Sequence, residues 1–163
     1  MDRISVDLLA DTVAALLKLG YKPAIEKLIS QINDHHVRSE LAFALLGEFG
    51  DERVVKPMIQ IFQSSSFDEL ENVTKVLYGV LKRTAETIAL DDLRVLASLK
   101  KVTVTWEEAA GTSGDIASRS STVYPDVVCA LAEEEMRRRA TSESQALYEQ
   151  WLQRGQKGSG AQA

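Results

Sequence analysis

The sequence is poor in cysteine, proline and aromatic residues, and each shortage excludes something. A single cysteine in 163 residues, Cys129, excludes an internal disulfide and is typical of a reducing compartment such as the cytoplasm. Three prolines leave long stretches free of helix breakers. Aromatic residues make up only 6%, so the core must consist mainly of Leu, Val, Ile and Ala, a mixture that suits helices. No apolar run approaches the ~20 residues that span a bilayer, and residues 1–7 lack the apolar segment of a signal peptide.

Positive charge is also in short supply. The chain has 19 Lys and Arg against 24 Asp and Glu, a net charge of -5. An acidic protein is repelled by phosphate backbones and anionic lipids, so we expect neither nucleic-acid binding nor membrane binding. Apolar residues make up 45%, enough for one globular domain.

What the sequence does contain is an internal repeat. A shift of 30 residues places segment 12–32 on segment 42–62, with apolar positions in phase and four identities. The identical pairs are Ala14 and Ala44, Leu16 and Leu46, Gly20 and Gly50, and Ile29 and Ile59. Each segment has the pattern of a helix, a tight glycine-containing turn and a second helix, so the sequence predicts two consecutive helical hairpins.

The helix boundaries of these two units follow from turn and capping residues. In the first unit we predict helices over 3–19 and about 22–32, separated by Gly20. In the second we predict a helix over 35–49 that ends at Gly50 in a left-handed conformation, which glycine adopts at low cost. Asp51 then caps a fourth helix with Pro57 near its start. Its predicted apolar stripe is Val54, Val55, Met58, Ile59 and Phe62.

The turn and start of this fourth helix carry a family resemblance. The residues concerned are Gly50-Asp51-Glu52-Arg53-Val54-Val55-Lys56-Pro57-Met58-Ile59. They resemble the turn and second helix of the short bacterial HEAT-like repeats, while the first unit resembles a degenerate terminal repeat. The resemblance implies an all-α fold, a short α-solenoid, with a binding surface on the ridge of second helices. Glu26 is one of the polar residues of this ridge. The other polar ridge residues are the candidate partner-binding residues: Lys27, Gln31, Arg53, Lys56, Gln60 and Gln63.

Beyond residue 66 the repeat weakens. A helical stripe predicts a helix over 67–84, and a further helix over about 90–100 would complete a third unit. Residues 101–124 are rich in Gly, Ser and Thr, and we interpret them as a long flexible loop in which Trp106 is a candidate binding residue. At the start of this loop, residues 102–106 alternate like a strand, although Thr105 and Glu108 could instead form a capping box. A C-terminal helical pair over 125–140 and 142–153 would close one domain, 1–153, followed by a disordered tail, 154–163.

No catalytic, metal or cofactor site is apparent. His35 and His36 are adjacent and would point about 100° apart on a helix, so they do not share a metal ion. Cys129 has apolar neighbours, which indicates an inert thiol. The run 137–139 of arginines follows the run 133–135 of glutamates by one turn, which favours an ion-paired face over a nucleic-acid patch.

From these features we expect a non-catalytic protein–protein interaction module, an adaptor, assembly factor or regulatory subunit with another protein as partner. Three other classes stay open. Two come from the HEAT-like resemblance: a factor that attaches bilin chromophores, and a DNA-binding protein with a basic concave face. The third is an immunity or antitoxin protein, since a small acidic protein suits the neutralisation of a basic toxin.

Overall fold

The computed structural model describes residues 12–33, 40–64, 67–110 and 115–158. Within these ranges the protein is mostly helical, with one small antiparallel sheet of two strands. The elements, in chain order, are α1 (described over 12–18), α2 (Pro23–Asn33), α3 (Glu40–Phe49), α4 (Val55–Ser64), α5 (Phe67–Thr84), α6 (Leu90–Ala97), β1 (Val102–Ala110), β2 (Asp115–Val123) and α7 (Asp126–Gly158). A short 3-10 turn precedes α4, and another follows α5.

The turn between α1 and α2 has the geometry that its glycine predicts. Gly20 has a φ of 76°, the left-handed region that only glycine adopts without strain. The amide of Gly20 donates to the carbonyl of Leu17, and the amide of Tyr21 donates to that of Leu16. These two bonds form a Schellman motif, which satisfies carbonyls at the end of α1 and turns the chain into α2.

The equivalent prediction for Gly50 is wrong. Gly20 is the only glycine with positive φ in the described ranges, so Gly50 is not left-handed. Glycine is needed at this position because there is no room for a side chain. A Cβ atom there would lie against the carbonyl oxygen of Leu46 and 2.9 Å from a methyl carbon of Val54. The cap that follows is confirmed, since the Asp51 carboxylate accepts a hydrogen bond from the amide of Arg53.

The core lies between the helices and contains the predicted stripes. All five predicted apolar residues of the α4 segment are buried, as are the six on α5: Leu70, Val73, Val76, Leu77, Val80 and Leu81. Helix α3 packs against α2 and α5, while α4 packs against α5 and α6. Near the start of α3, Leu41 is exposed, whereas Ala42 and Phe43 are buried.

Helices α3 and α5 pass unusually close to each other at two glycines. A Cβ atom on Gly79 would lie against the carbonyl oxygen of Gly47. One turn further along α5, the Arg83 guanidinium donates to the carbonyls of Gly47 and Gly50, at 2.7 and 3.0 Å. It thereby satisfies acceptors at the C-terminal end of α3, which the helix itself leaves without donors.

The segment predicted as a flexible loop, 101–124, is a β-hairpin. Residues of β1 and β2 pair without interruption from Val102 opposite Val123 to Ala110 opposite Asp115. The strand predicted from the alternation at 102–106 is therefore confirmed, and the alternative prediction of a brief helix is wrong. Val102, Val104 and Val123 pack against the helical core.

The predicted C-terminal helical pair is also wrong, because one helix, α7, runs from Asp126 to Gly158. Its first half packs on α5 and α6 and buries Val128 and Ala132. From residue 140 to residue 150 every described side chain is exposed, so the second half projects from the body. No glycine or proline separates 140 from 142, so nothing stops the helix there. It also continues past residue 153, where the tail was expected.

None of the described helices is long and apolar enough to cross a membrane.

Candidate interaction surface

The polar positions predicted to form a ridge lie on α2, on α4 and in the turn before α4. Lys27 on α2 is exposed and Gln31 is half-buried. Lys56, Gln60 and Gln63 on α4 are all exposed and are spaced by four and three residues, so they share one face of that helix. Most of the predicted ridge residues therefore lie at the surface, on two different helices.

Arg53, the remaining predicted ridge residue, has its guanidinium engaged within the protein. Its Nε and Nη2 atoms donate to the two carboxylate oxygens of Asp51, at 2.9 and 2.8 Å. Its Nη1 atom donates to Glu26 of α2 at 2.7 Å. The bond to Arg53 lowers the pKa of Asp51, and the two carboxylates raise the pKa of Arg53. Arg53 therefore links the turn before α4 to the first turn of α2.

Replacing Arg53 with Lys tests this joining role. The variant keeps the positive charge but loses the planar fork that bonds two carboxylates at once. We expect the free energy of unfolding to fall by about 1 kcal/mol, the usual net value of a charged hydrogen bond that is partly exposed to water. Urea denaturation measures it, with Lys56→Ala on the neighbouring exposed surface as the control that should change little. Equal stability of Arg53→Lys and wild type would contradict the role.

Trp106, the predicted site residue outside the ridge, lies on β1 opposite Arg119. It is on the same face of the hairpin as Val102 and Val104, but it lies further from the hairpin base and is 40% exposed. It belongs to the outer part of the hairpin rather than to the ridge of helices.

A cleft next to the ridge is absent from the sequence-based expectations. It has a volume of about 410 Å³ and lies where the ends of α4 and α6 meet the base of β1. Its floor includes Phe62, Leu99 and Val102, and its rim includes Lys100 and Lys101. No sequence pattern indicated this cleft, because the arrangement of α4, α6 and β1 that forms it was not predicted. The cleft extends the ridge surface beyond Gln63, which is also among its lining residues.

Cys129 and the adjacent pair His35 and His36 are the residues whose side chains bear most on nucleophilic or metal chemistry. Cys129 is half-buried, donates its thiol hydrogen to the carbonyl of Leu99, and has a pKa raised chiefly by burial, so the nucleophilic thiolate is disfavoured. No group of three His, Cys, Asp or Glu side chains that could hold a metal ion occurs in the part of the chain that is described. His35 and His36 lie outside that part.

The side chains of Glu135, Arg138 and Arg139 on α7 form one connected cluster rather than three separate Glu–Arg ion pairs. Glu135 is buried and accepts hydrogen bonds from both Arg138 and Arg139. Arg139 also donates to the carbonyl of Ala85, at the end of α5. The predicted pairs from Glu133 and Glu134 do not form, and Arg137 is exposed. This cluster fastens α7 to the end of α5.

No protein-family model matches the chain, and no curated protein or solved structure is significantly similar to it.

Proposed function

We propose that this chain is a non-catalytic protein–protein interaction module with a short HEAT-like α-solenoid. In this account it binds another protein through the ridge formed by the exposed faces of α2 and α4. The unpaired Cys129 supports action in the reducing cytoplasm.

The packing of successive helices supports the solenoid. First helices α3 and α5 lie against each other, and second helices α4 and α6 are in contact. The turn residues that carry the HEAT-like resemblance are also those that join the units, since Asp51 caps the turn while Arg53 bonds to Glu26 of the preceding hairpin. Such nearest-neighbour joints are what a stack of repeats requires.

The single observation that carries the interaction role is the exposed row Lys56, Gln60 and Gln63 on one face of α4, with Lys27 also exposed on α2. These side chains stand on helices whose inner faces are buried and whose starts Arg53 holds together. A rigid surface of lysine and glutamine side chains on packed helices binds a protein with little loss of backbone conformational entropy.

The test is capture of protein partners from a lysate of the source organism by the purified chain. The variant Lys56→Glu with Gln60→Glu should lose any partner that binds at the ridge, with an unchanged melting temperature, because both side chains are exposed. A matched control is Arg137→Glu with Gln145→Glu on α7, which changes the net charge by the same amount at another exposed surface. Capture that survives the ridge changes, or is lost equally in the control, would exclude the ridge as the binding surface.

A further inference from the structure

The cleft at the ends of α4 and α6 continues the ridge surface into an apolar pocket. Gln63 belongs both to the exposed row on α4 and to the lining of the cleft, so the two surfaces are continuous. The cleft has a volume of about 410 Å³, which is large enough for a small ligand or for an anchoring side chain of a partner. A protein that lies along the exposed row of α4 therefore reaches the cleft.

Four apolar side chains line the cleft. Phe62 is buried, Leu99 and Val102 are half-buried, and Val95 is 38% exposed. Covering these side chains removes apolar surface from water, which is the main favourable contribution to protein association. The occupant that gains most from this is a large apolar side chain, since side chains that fill such pockets, aromatic ones above all, supply much of the binding energy of an interface.

The lining of the cleft and the exposed row on α4 carry positive charge and no carboxylate. Residues 55–64 and 95–106, which supply both surfaces, contain Lys56, Lys100 and Lys101 but no Asp or Glu. The whole chain, by contrast, has 24 acidic residues and a net charge of -5. All three lysines are exposed, and none of them forms an ion pair within the described ranges. They are therefore available to a partner of opposite charge.

Helix electrostatics alone does not account for these lysines. Lys100 and Lys101 follow the end of α6, where a positive charge offsets the negative end of the helix dipole. Lys56, however, lies in the first turn of α4, where the same dipole disfavours a positive charge. What the three lysines share is their place on one acid-free surface that ends in the apolar cleft.

A short acidic segment of a protein complements this site better than a nucleic acid does. The net charge of the chain repels a long phosphate backbone, and the cleft would give phosphates apolar neighbours. A protein segment instead places carboxylates beside the lysines and an apolar side chain in the cleft, so it matches both parts of the site.

We propose that the cleft holds a large apolar side chain of the partner protein, and that acidic residues flanking this side chain pair with Lys100 and Lys101. The inference rests on the function proposed above, because it names the part of the partner that the ridge surface receives. The opposite charges speed the encounter and fix the orientation of the segment, while the apolar side chain supplies most of the affinity.

A panel of short synthetic peptides titrated into the isotope-labelled full chain tests the proposal by NMR. Each peptide has a central phenylalanine, leucine or alanine, flanked on both sides by glutamate, glutamine or lysine. The expected result is saturable chemical-shift changes at residues 62–64 and 98–102 with an apolar centre and glutamate flanks. Replacing either feature should weaken binding roughly tenfold. Binding that is indifferent to the flanks, shift changes confined to other residues, no binding by any acidic peptide, or tighter binding of a single-stranded oligonucleotide would each overturn the proposal.

Charge reversal at the rim separates this inference from the proposed function. Lys100→Glu with Lys101→Glu should reverse the preference, so that lysine flanks bind better than glutamate flanks, with an unchanged melting temperature because both side chains are exposed. The matched control, Lys18→Glu with Arg137→Glu, makes the same change in net charge at exposed positions on α1 and α7 and should bind as wild type. A protein partner that is lost with Lys56→Glu and Gln60→Glu but retained after reversal at the rim would overturn the cleft as the anchoring site, while the ridge would remain the binding surface.

Discussion

Gly79→Ala should lower the free energy of unfolding by about 3 kcal/mol, a large effect for one added methyl group. The methyl carbon would lie against the carbonyl oxygen of Gly47 on α3, and that atom is backbone, which cannot rotate away. Helices α3 and α5 would have to separate, which would also strain the bonds from Arg83 to the end of α3. The higher helix propensity of alanine offsets only up to about 1 kcal/mol of this cost.

Gly47→Ala is the matched control at the same crossing, and its expected effect has the opposite sign. A Cβ atom on Gly47 would meet its nearest neighbour, the Cα atom of Val76, at 3.7 Å, an ordinary van der Waals contact. The variant should therefore be as stable as wild type, or more stable by up to about 1 kcal/mol from helix propensity. Urea denaturation of both variants, monitored by circular dichroism, measures the difference. Equal stability of the two variants would show that the helices do not pass as closely as described.

Glu135→Gln should lower the free energy of unfolding by about 2 kcal/mol, since it removes the charge from hydrogen bonds to two arginines. The carboxylate is buried and receives three N–H donors from Arg138 and Arg139, each at 2.8 Å. Arg139 reaches from there to the carbonyl of Ala85 at 2.6 Å. The variant therefore loosens the attachment of α7 to the end of α5. Glu134→Gln, an exposed neighbour, is the control and should be neutral.

The same cluster predicts a pH dependence with a definite sign. Hydrogen bonds from Arg138, then from Arg139, lower the pKa of Glu135 from an ordinary 4.5 to about 2 in the folded protein. A carboxyl group with a lowered folded pKa contributes stability that is complete above its unfolded pKa and is lost as the pH falls towards its folded pKa. The stability difference between wild type and Glu135→Gln should thus be largest above pH 4.5 and should shrink towards pH 2. A difference independent of pH would mean that the carboxylate charge does not matter.

The helices could be predicted from sequence because their signals are local. The stripe of α5 and the capping by Asp51 depend on residues a few positions apart, and the predicted range 67–84 matches the helix that is observed. The conformation of Gly50 could not be predicted in this way. A glycine after a helix fits both a left-handed turn and a close backbone contact, and the contact with Val54 that decides between them is formed only on folding.

The hairpin and the long final helix show a different limit. The alternation of residues at 102–106 indicated a strand. Its partner at 119–123 is rich in Ser and Thr and has little apolar pattern, so the sequence did not indicate that the two segments pair. On α7, a break between two helices was predicted at about residue 141. The hydroxyls of Thr141, Ser142 and Ser144 donate to the carbonyls four residues earlier, so these side chains are accommodated within one continuous helix.

The positions of some candidate residues on their helix could be predicted for the same reasons. Helical periodicity placed Lys56, Gln60 and Gln63 on one face of α4, and the structure agrees. Periodicity could not show that Arg53 bonds to Glu26, since that bond joins elements 27 positions apart. It also could not place Lys100 and Lys101 beside the end of α4, because that placement depends on how α4 and α6 pack in the folded protein.

Hydrogen–deuterium exchange on the complex with a captured partner tests the interaction account most directly. The account predicts that binding slows exchange over 23–33 and 55–64, the helices α2 and α4, and leaves the exposed half of α7 unchanged. Protection confined to the hairpin or to residues 140–158, with α2 and α4 exchanging as in the free chain, would contradict the assignment of the ridge as the binding surface.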